Sequence, residues 1–303
     1  MQALWMVLAA FLFASMGVCV KIASSDFNAA ELVFYRGIIG MLILWLLARS
    51  QKSTLATRYP AMHAWRSLMG VASLGGWFYA IGHLPLATAM TLNYMSSVWI
   101  AAFLVGGTLL AWRPSAATPR PALQGTLIVT VLTGFVGVVM MLRPSLNPNE
   151  SFAGLIGLMS GMSAAFAYMQ VVALSRLGEP ESRTVFYFAV GSTVAGGAAM
   201  LFTGMSAWPG WAALWLLPIG ILAAVGQLCM TRAYASAKSP RETLVVANLQ
   251  YSGIVFAAIY SVALFGDNIP AIGWIGMSLI VGSGIAATIL RARAAPGAPA
   301  QDH

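Results

Sequence analysis

Residues 79–97, YAIGHLPLATAMTLNYMSS, return further along the chain as residues 234–252, YASAKSPRETLVVANLQYS. Tyr79, Ala80, Pro85, Thr88, Asn93 and Ser97 fall on Tyr234, Ala235, Pro240, Thr243, Asn248 and Ser252. Paired alanines arise readily in an apolar chain, whereas matched Tyr, Pro, Thr and Asn in fixed order do not. With small gaps the likeness spreads outward: Phe13, Ala14, Met16 and Val18 fall on Phe166, Ala167, Met169 and Val171, and Gly134, Leu142 and Arg143 on Gly282, Leu290 and Arg291. The chain therefore reads as a duplication.

What was duplicated follows from composition. The 303 residues are 59% hydrophobic and 8% charged, against roughly 25% charged in a soluble globular domain, which excludes a water-soluble fold. Apolar runs broken by Pro, Gly and charge place spans near 3–22, 30–48, 64–83, 85–111, 122–142, 152–174, 184–203, 211–235, 241–265 and 270–290. Each is long enough to cross a hydrocarbon layer of about 30 Å. The first run lacks the basic leader and cleavage site of a signal peptide and reads as a true span.

Five spans per copy is an odd number, so each copy ends on the side opposite its start and the second must enter the membrane upside down. The expectation is an all-α integral membrane protein of ten transmembrane helices arranged as two inverted five-helix repeats, 1–145 and 150–291, with a disordered cytoplasmic tail over 292–303. That is the plan of many secondary transporters, with a site near the midplane between the halves.

The net charge of +8 fits orientation better than nucleic acid, which is not expected as a partner. With the N-terminus inside, Arg49, Lys52, Arg58, Arg66, Arg113, Arg120, Arg176, Arg183, Arg232, Lys238, Arg241, Arg291 and Arg293 fall on the cytoplasmic side, and only Lys21 and Arg143 outside. This bias puts both termini in the cytoplasm of a multi-pass inner-membrane protein.

Glu31-Leu-Val-Phe-Tyr-Arg36, Trp65-Arg66 with Gly70, Tyr79-Ala80 followed by Leu84-Pro85-Leu86-Ala87, and Gly134 to Pro144 (GFVGVVMMLRP) resemble the EamA-type branch of the drug/metabolite transporter superfamily, over nearly the whole chain and most closely over 5–145. In the second copy Ala237 to Glu242 (AKSPRE) replaces the usual apolar turn, and Gln250-Tyr251 stands near where members often carry Pro. The resemblance implies a basket of ten helices, spans 1–4 and 6–9 around a central cavity, spans 5 and 10 peripheral, and gating at the short 3–4 and 8–9 turns. It also implies transport of a small organic metabolite. The FYR and WR signatures look most similar to members associated with S-adenosylmethionine, while others carry amino acids.

Candidate site residues follow from polar groups inside spans. Arg36 needs a partner or water at that depth. Glu31 is five residues away, roughly 140° around a helix, so the two do not share a face. Arg36 reads either as a cation meeting a substrate carboxylate or phosphate or as a residue that snorkels or bonds a neighbouring helix; Arg66 reads as an interfacial anchor. Asn93 and Asn248 sit at matched depth in the two copies and either line the cavity or bond helix to helix. Gln250, Tyr168 and Gln170 carry the same ambiguity. Trp77, Tyr79, Tyr94 and Trp99 offer flat faces for a ring or a cationic group, or pack in the core. Trp208, Trp211 and Trp215 read as belt residues, and Gly157 and Gly161 as close packing within the bundle.

Cys19 and Cys229 lie within apolar runs and offer no disulfide framework or metal site. No paired buried carboxylates, HExxH helix or nucleophile and base stand within the spans, so no enzyme, cofactor or metal is expected. A channel would need a filter signature, and none recurs. The reading is a secondary transporter of an amino acid or amino-acid derivative working by alternating access, a monomer or weak homodimer whose partners are its solute and the lipid bilayer. An intramembrane enzyme, a channel or a scaffold protein is the alternative.

Overall fold

The computed structural model describes residues 2–96, 98–99, 102–103, 125–142, 148–236, 246 and 249–294. Asn248, Pro240, Thr243, Ser97 and the tail beyond Ala294 lie outside them. The described residues form ten helices and a short 3-10 turn, with no strand among them. The helices are α1 (Gln2–Ala23), α2 (Ala29–Ser50), α3 (Pro60–His83), α4 (Leu86–Asn93), α5 (Gly125–Leu142), α6 (Pro148–Arg176), α7 (Glu181–Thr203), α8 (Leu216–Ala235), α9 (Ser252–Phe265) and α10 (Ala271–Ala294).

Their ends follow local chemistry. Asn28 and Glu31 close a capping box on α2, the Asn28 side chain accepting from the Glu31 N–H at 3.1 Å and the Asn28 N–H donating to Glu31 Oε2 at 2.8 Å. Pro60 opens α3, where its missing N–H costs nothing. Among the described residues five helical segments are long and apolar enough to cross a membrane: Ala3–Ala23, Ala29–Ser50, Asn149–Arg176, Glu181–Thr203 and Gly210–Ala235. The chain is a membrane protein. Its outer surface carries Leu4, Val194, Leu201 and Phe202 exposed, as a hydrocarbon solvent allows.

Helices pair closely and antiparallel. In α1 and α8 Arg232 lies over Trp5 and Phe13 meets Gly226. In α2 and α7 Phe34 meets Gly196 and Asn28 reaches Gly204. His63 meets Glu179 and Tyr79 meets Phe152 between α3 and α6. Ala87 meets Ser261 and Tyr94 meets Gly253 between α4 and α9, while Gly134 meets Ser283 and Gly137 meets Gly276 between α5 and α10. Secondary contacts join α2 to α8, α3 to α7, α1 to α9 and α4 to α6. Without a hydrophobic drive inside lipid, such close approach relies on small residues.

Two spans differ from the sequence reading, which carries single helices through 85–111 and 241–265. Helix α4 stops at Asn93, and a turn at Tyr94 and Met95 intervenes before helical backbone resumes at Ser96. A turn at Gln250 and Tyr251 likewise precedes α9. Interrupted backbone survives at membrane depth only where protein, not lipid, surrounds it. That condition holds here, since Leu92, Tyr94, Met95 and Tyr251 are buried. Gly161 of α6 passes so near the break that a Cβ there would stand 2.5 Å from the Leu92 carbonyl oxygen.

Candidate functional site

Helices α2, α3, α6 and α7 line an open cavity of ≈ 580 Å³. Along these helices its lining runs from Ala29, Tyr79, Phe152 and Ala199 to Val71, Ser163 and Ala195. Among the described residues its lining holds no Asp, Glu, His, Lys or Arg. Tyr79 stacks on His83 with ring centroids 4.2 Å apart.

Asn93 stands behind this wall, buried at 6% exposure. Its amide donates to Ser73 Oγ at 3.3 Å and Ser160 Oγ at 3.1 Å, and Ser160, which lines the cavity, donates to the Gly157 carbonyl at 2.7 Å. The asparagine thus ties the broken end of α4 to α3 and α6.

One to two turns further along from the lining residues, each of the same four helices contributes a residue: Arg36 from α2, Arg66 from α3, Tyr168 from α6 and Phe188 from α7. The Arg66 guanidinium carbon lies 3.8 Å from the Phe188 ring centroid and that of Arg36 lies 5.0 Å from it. Arg66 is only 3% exposed, which corrects its reading as an interfacial anchor. Helix α3 starts at Pro60, so Arg66 is nearly two turns inside, beneath the loop that crosses from α2. Arg36 does not pair with Glu31, whose carboxylate instead accepts from the Ser206 N–H and hydroxyl, each at 2.7 Å.

Beside this cluster, Gln250 Nε2 donates to the Tyr168 hydroxyl at 3.2 Å, and the Tyr234 hydroxyl reaches Gln250 Oε1 at 3.5 Å. The break before α9 is thereby joined to α6 and α8. Gln170 lies two residues beyond Tyr168, roughly 200° around the helix, and so belongs to another face. Tyr94 is buried beside Gly253 with its hydroxyl unpartnered, and Trp77 is buried with its indole N–H unpartnered. Trp99 points elsewhere, donating to the Leu158 carbonyl at 3.3 Å and packing edge-on to Phe135 at 5.1 Å. Asn248 is outside the described residues.

The end beyond the arginines carries Arg49, Lys52, Arg58, Arg176, Arg183 and Arg232, and side-chain bonds tie its segments together. Glu179 Oε1 accepts from Thr57 at 3.1 Å and from Arg183 at 3.2 Å, and Oε2 meets His63 Nε2 at 3.2 Å. Arg183 also donates to the Thr54 carbonyl at 2.9 Å, and the Tyr187 hydroxyl to the Leu55 carbonyl at 3.0 Å. Burial alone would raise the Glu179 carboxyl, but the hydrogen bonds from His63, Arg183 and Thr57 outweigh it and hold it below the ordinary glutamate value. Sequence reasoning missed this latch because its two segments, residues 54–63 and 179–187, pair across more than a hundred residues of chain. An open, largely apolar cavity between helices that are tied together at their basic end suits binding and release of a solute. Among the described residues no group of three or more His, Cys, Asp or Glu could hold a metal ion.

Comparison with known proteins agrees with this architecture. The EamA-like transporter family matches residues 1–108. A pseudopaline exporter of Pseudomonas aeruginosa is 34% identical over 266 residues, covering 87% of each chain. A riboflavin transporter of Rhizobium johnstonii is 25% identical over 290 residues, covering 93% of this chain and 89% of its own. A solved crystal structure at 18% identity shares the fold, with a TM-score of 0.63 over 97% of this chain and 99% of that one. The open cavity, the latched end and the close similarity across most of the chain come together in one assignment: this protein belongs to the EamA-like transporter family, within the drug/metabolite transporter superfamily.

Proposed function

We propose that the chain is a secondary transporter of a small organic metabolite, an amino acid or amino-acid derivative such as S-adenosylmethionine, carried across the cytoplasmic membrane by alternating access between inverted halves 1–145 and 150–291. The observation that carries this reading is the packing pattern. Exchanging each helix for the one five places on turns the α1–α8 contact into α6–α3, α2–α8 into α7–α3 and α1–α9 into α6–α4, and leaves α2–α7, α4–α9 and α5–α10 unchanged. Helices related by this exchange run in opposite directions, because their partners are antiparallel. Interrupted helices in corresponding positions of the two halves, here α4 and α9, mark the binding region in such folds.

The basic end, by the excess of Lys and Arg, faces the cytoplasm, so the end of the cavity lined by Ala29, Tyr79, Phe152 and Ala199 lies towards the outer side. Transport then requires the latch around Glu179 to release while Ala29, Tyr79, Phe152 and Ala199 close over the solute. No carboxylate lines the cavity, which favours exchange or facilitated movement over proton coupling. The family relatives named for pseudopaline and riboflavin support a small organic cargo.

The test is counterflow in proteoliposomes preloaded with a pool of unlabelled amino acids and S-adenosylmethionine, with labelled members added outside. Saturable accumulation of at least one is expected, and none would sink the transporter reading. For sidedness, Trp211→Cys should react with an impermeant maleimide on intact cells and Ser53→Cys only after permeabilisation. The reverse pattern overturns the proposed orientation.

A further inference from the structure

Arg36 and Arg66 are at most 4% exposed, yet Arg36 Nε and Arg66 Nε and Nη1 have no hydrogen-bond partner. The ion pairs among the described residues are His63 with Glu179 and Arg183 with Glu179, and neither includes these two cations. Both guanidinium carbons lie against one Phe188 ring, within about 9 Å of each other, so two like charges repel in an apolar interior. A ring face attracts a cation but accepts no in-plane N–H bond. The fold nonetheless makes room for the arrangement: a Cβ on Gly70 would stand 2.8 Å from Phe188 and 2.9 Å from Arg66 Nη1. Buried charges are ordinarily paired or neutralised. Among the described residues this pair is neither, and it lies on the same helices that line the open cavity, Arg36 three residues beyond Val33 and Arg66 five before Val71.

We propose that Arg36 and Arg66 form an anion subsite for the cargo, taking a carboxylate or phosphate group of a small organic solute between them. The inference rests on the transporter reading and narrows its cargo to solutes bearing an anionic oxygen group. Arg geometry suits it, since each guanidinium offers parallel N–H donors to two oxygens. The anion would cancel the repulsion and satisfy the three idle nitrogens at once. Both arginines rest on the Phe188 ring, and Tyr168, held by Gln250, lies within electrostatic reach of Arg66. Bound charge would also remove the cost of holding two cations below the cavity, so that cargo binding and closure reinforce each other.

The test uses the purified full-length protein in detergent and follows thermal unfolding against inorganic phosphate, glutamate and glycerol 3-phosphate, with glutamine and glycerol as neutral controls at fixed ionic strength. Phosphatidylglycerol in a separate arm distinguishes a lipid headgroup from a soluble anion. Wild type should gain about 5 °C or more at a hundredfold excess over Kd of the best soluble anion. Arg36→Gln and Arg66→Gln should lose that gain while melting no lower than wild type without anion. Arg36→Lys and Arg66→Lys, which keep the charge and lose the fork, should bind about tenfold more weakly. A gain that persists in both Gln variants, a gain from neutral controls alone, or a response to phosphatidylglycerol alone overturns the proposal. Counterflow separates this from failure of the transporter reading: a neutral solute that exchanges equally well in wild type and both Gln variants leaves transport standing and removes the anion subsite.

Discussion

Two groups of buried polar side chains lie beside the helices that line the cavity, and they are treated in opposite ways. Asn93 is satisfied, with Ser73 and Ser160 accepting its two N–H bonds and Ser160 passing the chain to the Gly157 carbonyl. Arg36 and Arg66 stand nearer the latch than that network, with idle donors and no counter-ion among the described residues. A satisfied network fixes helices in place. An unsatisfied one at equal burial is costly to the resting fold, and such a cost persists where something outside the fold repays it. The contrast separates structural polarity from polarity kept for the cargo.

The largest expected effect tests the structural half of that contrast. Asn93→Ala removes both bonds and loosens the α3–α4–α6 junction at the end of the broken helix, for a loss of about 2 kcal/mol. Reversible unfolding in mixed micelles measures it. Equal transport per folded molecule is expected, because Asn93 acts on the cavity only through Ser160. If Asn93→Ala melts like wild type but no longer transports, Asn93 itself touches cargo and the contrast fails.

The sequence made the helices legible because uninterrupted apolar runs can satisfy their backbone in lipid in few ways. All ten predicted spans have a helical counterpart among the described residues. The interruptions at Tyr94–Met95 and Gln250–Tyr251 were hidden, since hydropathy runs on through residues whose backbone bends for packing reasons. Arg36 stood out because it lies within an apolar run. Arg66 did not, because counting from the basic loop placed it at the surface, and its burial depends on the loop over residues 51–59 being pinned by Arg183 and Tyr187. Phe188 carried no signal at all, being one aromatic among many. Tyr79 was singled out as a flat face and lines the cavity, while Trp99, singled out for the same reason, packs on α5 and α6.

A middle-sized effect concerns the latch, where polar groups are satisfied only in one state. The Glu179 carboxyl, held below its ordinary value by His63, Arg183 and Thr57, regains that value when the latch opens. Its contribution to the closed state is therefore complete above the ordinary glutamate value and is lost as pH falls through the lower value of the latched carboxyl. At neutral pH the latch should be fully formed, with opening towards the basic side favoured only in acid. Glu179→Gln should mimic acid, moving the equilibrium towards the cytoplasm-open form about tenfold. Maleimide access to a cysteine introduced at Ser67, below the latch, reports it. Unchanged access in Glu179→Gln would make the latch a static tie, in the same class as Asn93.

The smallest effect asks whether the contrast extends to a neutral group. The Tyr94 hydroxyl, at the turn that ends α4, is buried against Gly253 with no partner. By the logic applied to the arginines it contributes nothing to the resting fold. Tyr94→Phe should then melt at the wild-type temperature or slightly above it, removing an unsatisfied donor at a gain of no more than about 1 kcal/mol. Counterflow should fall by about fivefold, the worth of one neutral hydrogen bond formed during the cycle. A lower melting temperature would show that the hydroxyl is bonded in the membrane and belongs with Asn93. Full stability with full transport would instead make burial without a partner insufficient to identify a cargo contact, and would leave the paired charge of Arg36 and Arg66 as the property that does so.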